Sequence, residues 1–169
     1  MSAEAAAQRI LLLGNSGAGK STLALRVVAK YGLGHLDLDR LVWEPGKIAV
    51  PRPEDAIATD LQRFIEQHCG WVIEGCYAEW IGAALPHCSA LWFLNPGLES
   101  CLSHNLQRPW EPHKYPSLEA QNRMLSTLQD WVRGYYTRAD AWSLAAHRRL
   151  YDAYDGPKHE FLRVVDYPG

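Results

Sequence analysis

The stretch Gly14-Asn15-Ser16-Gly17-Ala18-Gly19-Lys20-Ser21 decides the fold. It fits G-x-x-x-x-G-K-[ST], and its flanks are the ones that motif requires. Before it, Arg9 to Leu13 (RILLL) is a short apolar run stopping at Gly14, the pattern of a buried strand. After it, Leu23, Val27, Val28 and Tyr31 recur at helical spacing from Lys20 to Tyr31, with Lys30 in the last turn and Gly32-Leu33-Gly34 as the stop. In a strand, glycine loop and helix of this kind, successive amide N–H groups and the positive helix N-terminus wrap phosphate oxygens. The expected phosphate-binding residues are therefore Gly14, Asn15, Ser16, Gly17, Ala18, Gly19, Lys20, Ser21 and Thr22. Lys20 is expected to reach the β and γ phosphates, and the Ser21 hydroxyl to meet Mg²⁺, which takes oxygen ligands.

Working outward, His35 to Asp39 (HLDLD) alternates like a short strand opening into a polar mouth. Pro51 and Pro53 bracket a helix start, Glu54 and Asp55 suit its positive end, and Ile57, Leu61, Phe64 and Ile65 form one apolar stripe up to Gly70. Trp71 to Gly75 and Ala90 to Leu94 each read as buried strands. From Gly97 the pattern is helical until Arg108-Pro-Trp-Glu-Pro-His-Lys-Tyr-Pro116, whose three prolines cannot sit inside a helix. Ser117 can cap a helix to about Tyr136, a shorter helix spans Ser143 to Ala153, and Phe161 to Val165 reads as a last strand.

Strands alternating with helices predict an α/β fold: a P-loop NTPase three-layer sandwich with a mostly parallel five-stranded sheet and a helical, Pro-rich lid insertion at about residues 104–140. The 169 residues suit one domain large enough to fold without staples. A net charge of -2 with 21% charged residues and seven Trp excludes wholesale disorder and gives no global footprint for nucleic acid. Met1 to Gln8 lacks the basic flank of a secretion signal, and no window approaches a membrane span, so a cytoplasmic location is expected. The four cysteines, Cys69, Cys76, Cys88 and Cys101, contain no CxxC pair and read as reduced. Cys101 and His104 at i, i+3 have no second pair to complete a metal site.

A P-loop alone does not choose among GTPase, motor, kinase and regulatory ATPase. No Asn-Lys-x-Asp stretch follows the fourth strand, where Asn95-Pro-Gly-Leu98 stands, and the length suits a small-molecule kinase. Ligands of a doubly wound sheet bind beyond the C-terminal strand ends, which directs attention to Glu74 and to Asp37 and Asp39. Glu74 is expected to hold a Mg²⁺-bound water. Asp37 or Asp39 is expected to orient an acceptor hydroxyl, take its proton or touch the metal. The metal candidates are thus Ser21, Glu74 and Asp37, and the catalytic candidates Lys20, Asp37, Glu74, Arg108 and Arg138.

The P-loop, His35-Leu-Asp37 with Trp43-Glu-Pro-Gly, and Trp71-Val-Ile-Glu74-Gly75-Cys-Tyr77 together resemble the DNA topology modulation kinase-like (FlaR-type) proteins, relatives of adenylate and shikimate kinases. The resemblance covers the first half of the chain, with the second half similar in outline. It departs at Glu74-Gly75-Cys76-Tyr77, where the family has Asp-Gly-Asn-Tyr, so the acid is kept and the amide lost. It implies the fold and the use of ATP.

Phosphoryl transfer needs charge neutralised on three equatorial oxygens and water excluded. From His104 to Arg149, Lys and Arg outnumber Asp and Glu seven to four. Arg108 is the first lid candidate and Arg138 the second, with Trp110, His113, Lys114 and Tyr115 expected to close over substrate. An acceptor pocket is expected between Asp37 and the helix starting near Glu54, where Arg40, Trp43 and Arg52 can grip an anionic or planar substrate, with Tyr77 and Trp80 opposite. The expected function is ATP- and Mg²⁺-dependent phosphoryl transfer to a small-molecule acceptor, with no nucleic-acid or membrane partner. The alternative is a nucleotide-dependent regulatory switch or ATPase acting on a protein or DNA partner.

Overall fold

The computed structural model describes residues 7–47 and 49–169, so the absence of a secretion signal, read from Met1 to Gln8, falls mostly outside it. Five strands form a single sheet: β1 (Arg9–Gly14), β2 (Gly34–Asp37), β3 (Trp71–Gly75), β4 (Ala90–Leu94) and β5 (Lys158–Phe161). Their order is β2-β3-β1-β4-β5, and every neighbouring pair is parallel. Parallel neighbours need crossovers, which the helices supply on both faces.

The two-residue side-chain period of β1 divides the core. Leu11 and Leu13 face one way with Trp71, Ile73, Leu91 and Phe93, covered by α2 (Leu38–Val42), α3 (Glu54–Gln67), α4 (Ala78–Ala84) and α8 (Leu144–Ala153). Ile10 and Leu12 face the other way with Val72 and Leu94, covered by α1 (Lys20–Tyr31), α5 (Leu98–Leu106) and α7 (Leu125–Gly134). Leu11, Leu12 and Leu13 are fully buried, as an apolar run lying beneath helices on both sides must be. The helix α1 and the strands β1, β3 and β4 match the sequence reading, and α8 begins beside Ser143, whose side chain accepts from Ala146 N–H as its cap.

Three elements differ from expectation. The strand expected over His35 to Asp39 ends at Asp37, whose side chain accepts from the Asp39 N–H at 2.9 Å and caps α2, so Asp39 belongs to a helical turn. The helix expected from Ser117 to Tyr136 is two helices, α6 (Leu118–Arg123) and α7, divided at Met124. They serve different partners: Gln121 of α6 donates to the Pro109 carbonyl and accepts from Glu111 N–H, tying it to the Pro-rich loop, whereas Val132 and Leu128 of α7 pack in the core beside α5. The last strand is Lys158–Phe161 rather than Phe161 to Val165. It is an edge strand beside β4, and edges favour charge over apolar runs. Arg148 grips Glu160 with two hydrogen bonds of 2.8 and 2.6 Å, which fixes its place, and Val164–Asp166 forms a short 3₁₀ turn instead.

Among the described residues no helix is long and apolar enough to cross a membrane. All four cysteines are free thiols.

Candidate functional site

The loop from Gly14 to Gly19 leaves the C-terminal end of β1 and enters α1 through two glycines with positive φ, Gly17 at 81° and Gly19 at 93°. Gly17 is required twice over. Its backbone is left-handed, and a Cβ there would lie 2.2 Å from the Cys101 carbonyl oxygen of α5. Lys20 Nζ donates to the Gly14 and Asn15 carbonyls at 3.0 and 2.7 Å, which holds the ammonium across the loop. Distant residues brace the loop from behind. Asn15 is buried and donates to the Val132 carbonyl, His104 Nδ1 donates to the Gly17 carbonyl at 2.6 Å, and Tyr167 OH donates to the Ala18 carbonyl at 2.7 Å.

Glu74 stands next to this loop because β3 lies beside β1, in register with Leu12 on one side and Asp37 on the other. Register partners in a parallel sheet present side chains to the same face, here the α1 face. The buried Glu74 carboxylate accepts from Ser21 Oγ through one oxygen and from His35 Nε2, at 2.9 Å, through the other. The hydrogen bond to Glu74 raises the His35 pKa against the opposing effect of burial. Burial pushes Asp37 up to about 7, and the neighbouring Asp39 and Glu74 carboxylates add to that rise. Asp37 Oδ2 lies 3.9 Å from His113 Nε2, on the Pro-rich segment.

Asp39 is the hub of a second set of contacts. Tyr77 OH donates to one Asp39 oxygen while accepting from Trp43 Nε1 at 2.6 Å, and Lys114 Nζ pairs with the other oxygen at 2.6 Å. Burial acts to raise the Asp39 pKa, but the Lys114 ammonium and the hydrogen bonds from Lys114 and Tyr77 hold it well below the usual carboxylate range. Glu111 joins the set, 3.4 Å from both Lys114 Nζ and Arg108 Nη1.

Apart from His35 and His113, these groups line one cavity of about 830 Å³ at the C-terminal ends of the strands. It runs past the P-loop residues Ser16, Gly17, Gly19, Lys20, Ser21 and Thr22, takes in Asp37, Asp39 and Glu74, and reaches Arg108, Lys114 and Tyr115 of the Pro-rich segment. Its aromatic wall is continuous. Trp43 and Tyr77 have centroids 6.4 Å apart, Tyr77 and Trp142 6.3 Å, and Trp142 and Trp131 5.5 Å. Leu25, Arg26, Val164 and Tyr167 line it as well.

Several expected residues stand elsewhere. Arg138 is not part of the cavity lining: it pairs with Asp140 at 2.9 Å, donates to the Trp131 carbonyl and stacks 3.6 Å above the Trp131 ring. A guanidinium so held braces the wall from outside. Arg52 is engaged by Asp60 and the Leu41 carbonyl, joining α3 to α2, and Arg40 is exposed; neither lines the cavity. Trp80 packs against the core, and Trp110 donates to the Tyr115 carbonyl outside the lining. Sequence reading passed over Trp131, Trp142, Tyr167 and the loop-bracing role of His104. The helical reading covers α7, but no local pattern announces which of its residues face a cavity.

No family model matches the sequence, and no curated protein matches it. Among solved structures, the chain is similar to the shikimate kinase of Acinetobacter baumannii in complex with shikimate, at 19% sequence identity and a TM-score of 0.43, over 85% of this chain and 91% of that one.

Proposed function

We propose that this chain is a P-loop kinase that transfers the γ-phosphoryl group of ATP, with Mg²⁺, to a small acceptor, in keeping with its resemblance to the FlaR-type kinase-like proteins. One observation carries the reading: a single cavity joins the P-loop to the register-paired acids Asp37 and Glu74 and continues to an aromatic wall with room for a second molecule. A site for nucleotide hydrolysis alone has no need of that continuation.

In this reading the loop amides and Lys20 hold the phosphates and offset charge on the transferring group. Ser21 Oγ and Glu74 are the hard oxygen donors that would hold Mg²⁺, which leaves the neighbouring Asp37 to act on the acceptor. Among the described residues no group of three or more His, Cys, Asp and Glu forms a closed metal cage, which fits a cation bound largely through water and phosphate oxygens. Bound there, Mg²⁺ would neutralise the β and γ oxygens. His35 fixes the orientation of Glu74. Asp37, with its pKa raised to about 7, is suited to accept the proton of an acceptor hydroxyl near neutral pH. Arg108, Lys114 and Tyr115 close the cavity from the lid side, which limits access of water. A regulatory switch on DNA would use unpaired basic residues, whereas Arg108, Lys114, Arg138 and Arg148 each face an acid within the chain.

The test is an ADP-release screen across nucleosides, nucleoside monophosphates, cyclic polyols and sugars, with phosphorus NMR of the product. One acceptor class is expected to raise ADP release well above the acceptor-free rate. Calorimetry showing no MgATP uptake at millimolar concentration by folded protein would remove the proposal.

A further inference from the structure

The lid and the acids beside it constrain what the acceptor can be. Four carboxylates line the cavity, Asp37, Asp39, Glu74 and Glu111. The lid cations facing them are already engaged, Lys114 by Asp39 at 2.6 Å and by Glu111 at 3.4 Å, and Arg108 by Glu111 at 3.4 Å. Arg26 and Lys20 belong to α1 at the phosphate end, and Lys47 is exposed to water. The arginines available for clamping an anion, Arg52 and Arg138, are held outside the lining by Asp60 and Asp140. A preformed fork of donors, usually Arg, suits anion recognition best; among the described residues the lining at the acceptor end holds no arginine outside the Arg108–Glu111 pair, and Lys47, exposed to water, offers only a point charge. The acceptor end has instead a run of ring contacts from Trp43 through Tyr77 and Trp142 to Trp131, the first two of them edge-on, so that aromatic carbon and not a cation forms that wall of the cavity.

We infer that the acceptor is an uncharged hydroxyl compound with a flat or apolar ring face, such as a nucleoside or a cyclic polyol, and not a monophosphate or carboxylate. This inference rests on the kinase reading and names its substrate class. The acceptor hydroxyl oxygen forms the new bond to the γ-phosphorus, and the bond from that phosphorus to the β,γ-bridging oxygen breaks. The hydroxyl proton passes to Asp37, and ADP leaves with the electron pair of the broken bond. An anionic acceptor would have to displace Lys114 from Asp39 and then sit among carboxylates.

The experiment uses the full chain and matched pairs: a nucleoside against its 5′-monophosphate, and a cyclic polyol against its ring carboxylate. MgATP binding is measured by calorimetry in parallel. The uncharged member of a pair is expected to show kcat/KM at least tenfold above its anionic counterpart. Equal use of both, or preference for the anion, overturns the inference while the kinase reading stands. A protein that binds MgATP while no pair member speeds ADP release overturns both. Absence of MgATP binding removes the kinase reading and the inference with it. Glu111→Gln supplies an independent arm, because it frees part of Lys114 and Arg108 to meet an anion. The ratio of uncharged to anionic kcat/KM is expected to narrow at least threefold, through a lower KM for the anion. An unchanged ratio counts against the inference.

Discussion

The two ends of the cavity are built from different materials. At the phosphate end the chemistry lies in eight consecutive residues, Gly14 to Ser21, where backbone groups and two positive-φ glycines set the shape. At the far end it lies in side chains contributed by separate segments: Asp39 and Trp43 after β2, Tyr77 after β3, Lys114 in the lid loop, Trp131 in α7 and Trp142 before α8. Backbone-built sites tolerate most side-chain changes but fail when a glycine or the lysine is replaced. Side-chain networks are tunable one partner at a time. On the proposed reading, the phosphate chemistry would stay constant while the choice of acceptor could vary.

Perturbing each end in turn sharpens this contrast. Lys20→Ala is expected to have the largest effect, a loss of roughly 1,000-fold in turnover with an unchanged circular dichroism spectrum, the scale of removing a preorganised charge stabiliser. Next comes Asp37→Asn, which is expected to lower kcat about 100-fold by removing a general base. Because burial and the Asp39 and Glu74 charges push Asp37 up to about 7, wild-type kcat/KM should rise with pH through about 7 and Asp37→Asn should flatten that rise. The same shift has the opposite sign for stability. Between the ordinary value of 3.8 and about 7, the folded protein keeps a proton that the unfolded chain has lost, so stability falls as pH rises across that window. Asp37→Asn is accordingly expected to melt at a higher temperature than wild type at pH 8, read by calorimetric scanning. A lower melting temperature at pH 8 would break the picture of Asp37 as a strained acid.

Changes at the far end are expected to be smaller and to separate the two substrates. Lys114→Ala leaves the Asp39 carboxylate without its 2.6 Å cation partner. The acceptor KM is expected to rise about tenfold, because an uncompensated Asp39 carboxylate disturbs its hydrogen bond with Tyr77 on the cavity wall, with little change in MgATP affinity. Equal effects on both would show that the ends are not independent. The smallest effect is expected from Tyr167→Phe, which deletes one hydrogen bond to the Ala18 carbonyl. A loss of about 1 kcal/mol in stability, from denaturant melts, with MgATP binding weakened about fivefold is its predicted signature.

The difference in construction also explains what the sequence disclosed. A backbone site needs its residues adjacent, so the P-loop, its strand and its helix are legible from Arg9 to Tyr31 to within a residue. Glu74 and Asp37 were legible because strand ends of a parallel sheet converge, although the turn that carries Asp39 into α2 was not. Arg138 misled because a guanidinium in a basic segment looks the same whether it faces a cavity or stacks on Trp131 and pairs with Asp140. Trp142 and Tyr167 gave no signal, since their positions follow from how α7, α8 and the last turn dock. The final strand was misplaced by its own hydrophobicity: Leu162 and Val165 are exposed, while the strand next to them carries Lys158 and His159 at the sheet edge.

The hydrogen bond from Tyr167 to Ala18 spans 149 positions of the chain. Contacts so far apart in sequence form after local ones, since the loop that must close is long. A chain folding in that order would place the strand and helix around the lysine before the strut behind them. On the proposed reading, nucleotide binding would then be acquired late: in a refolding experiment its onset should trail the recovery of helical signal and coincide with docking of the last turn.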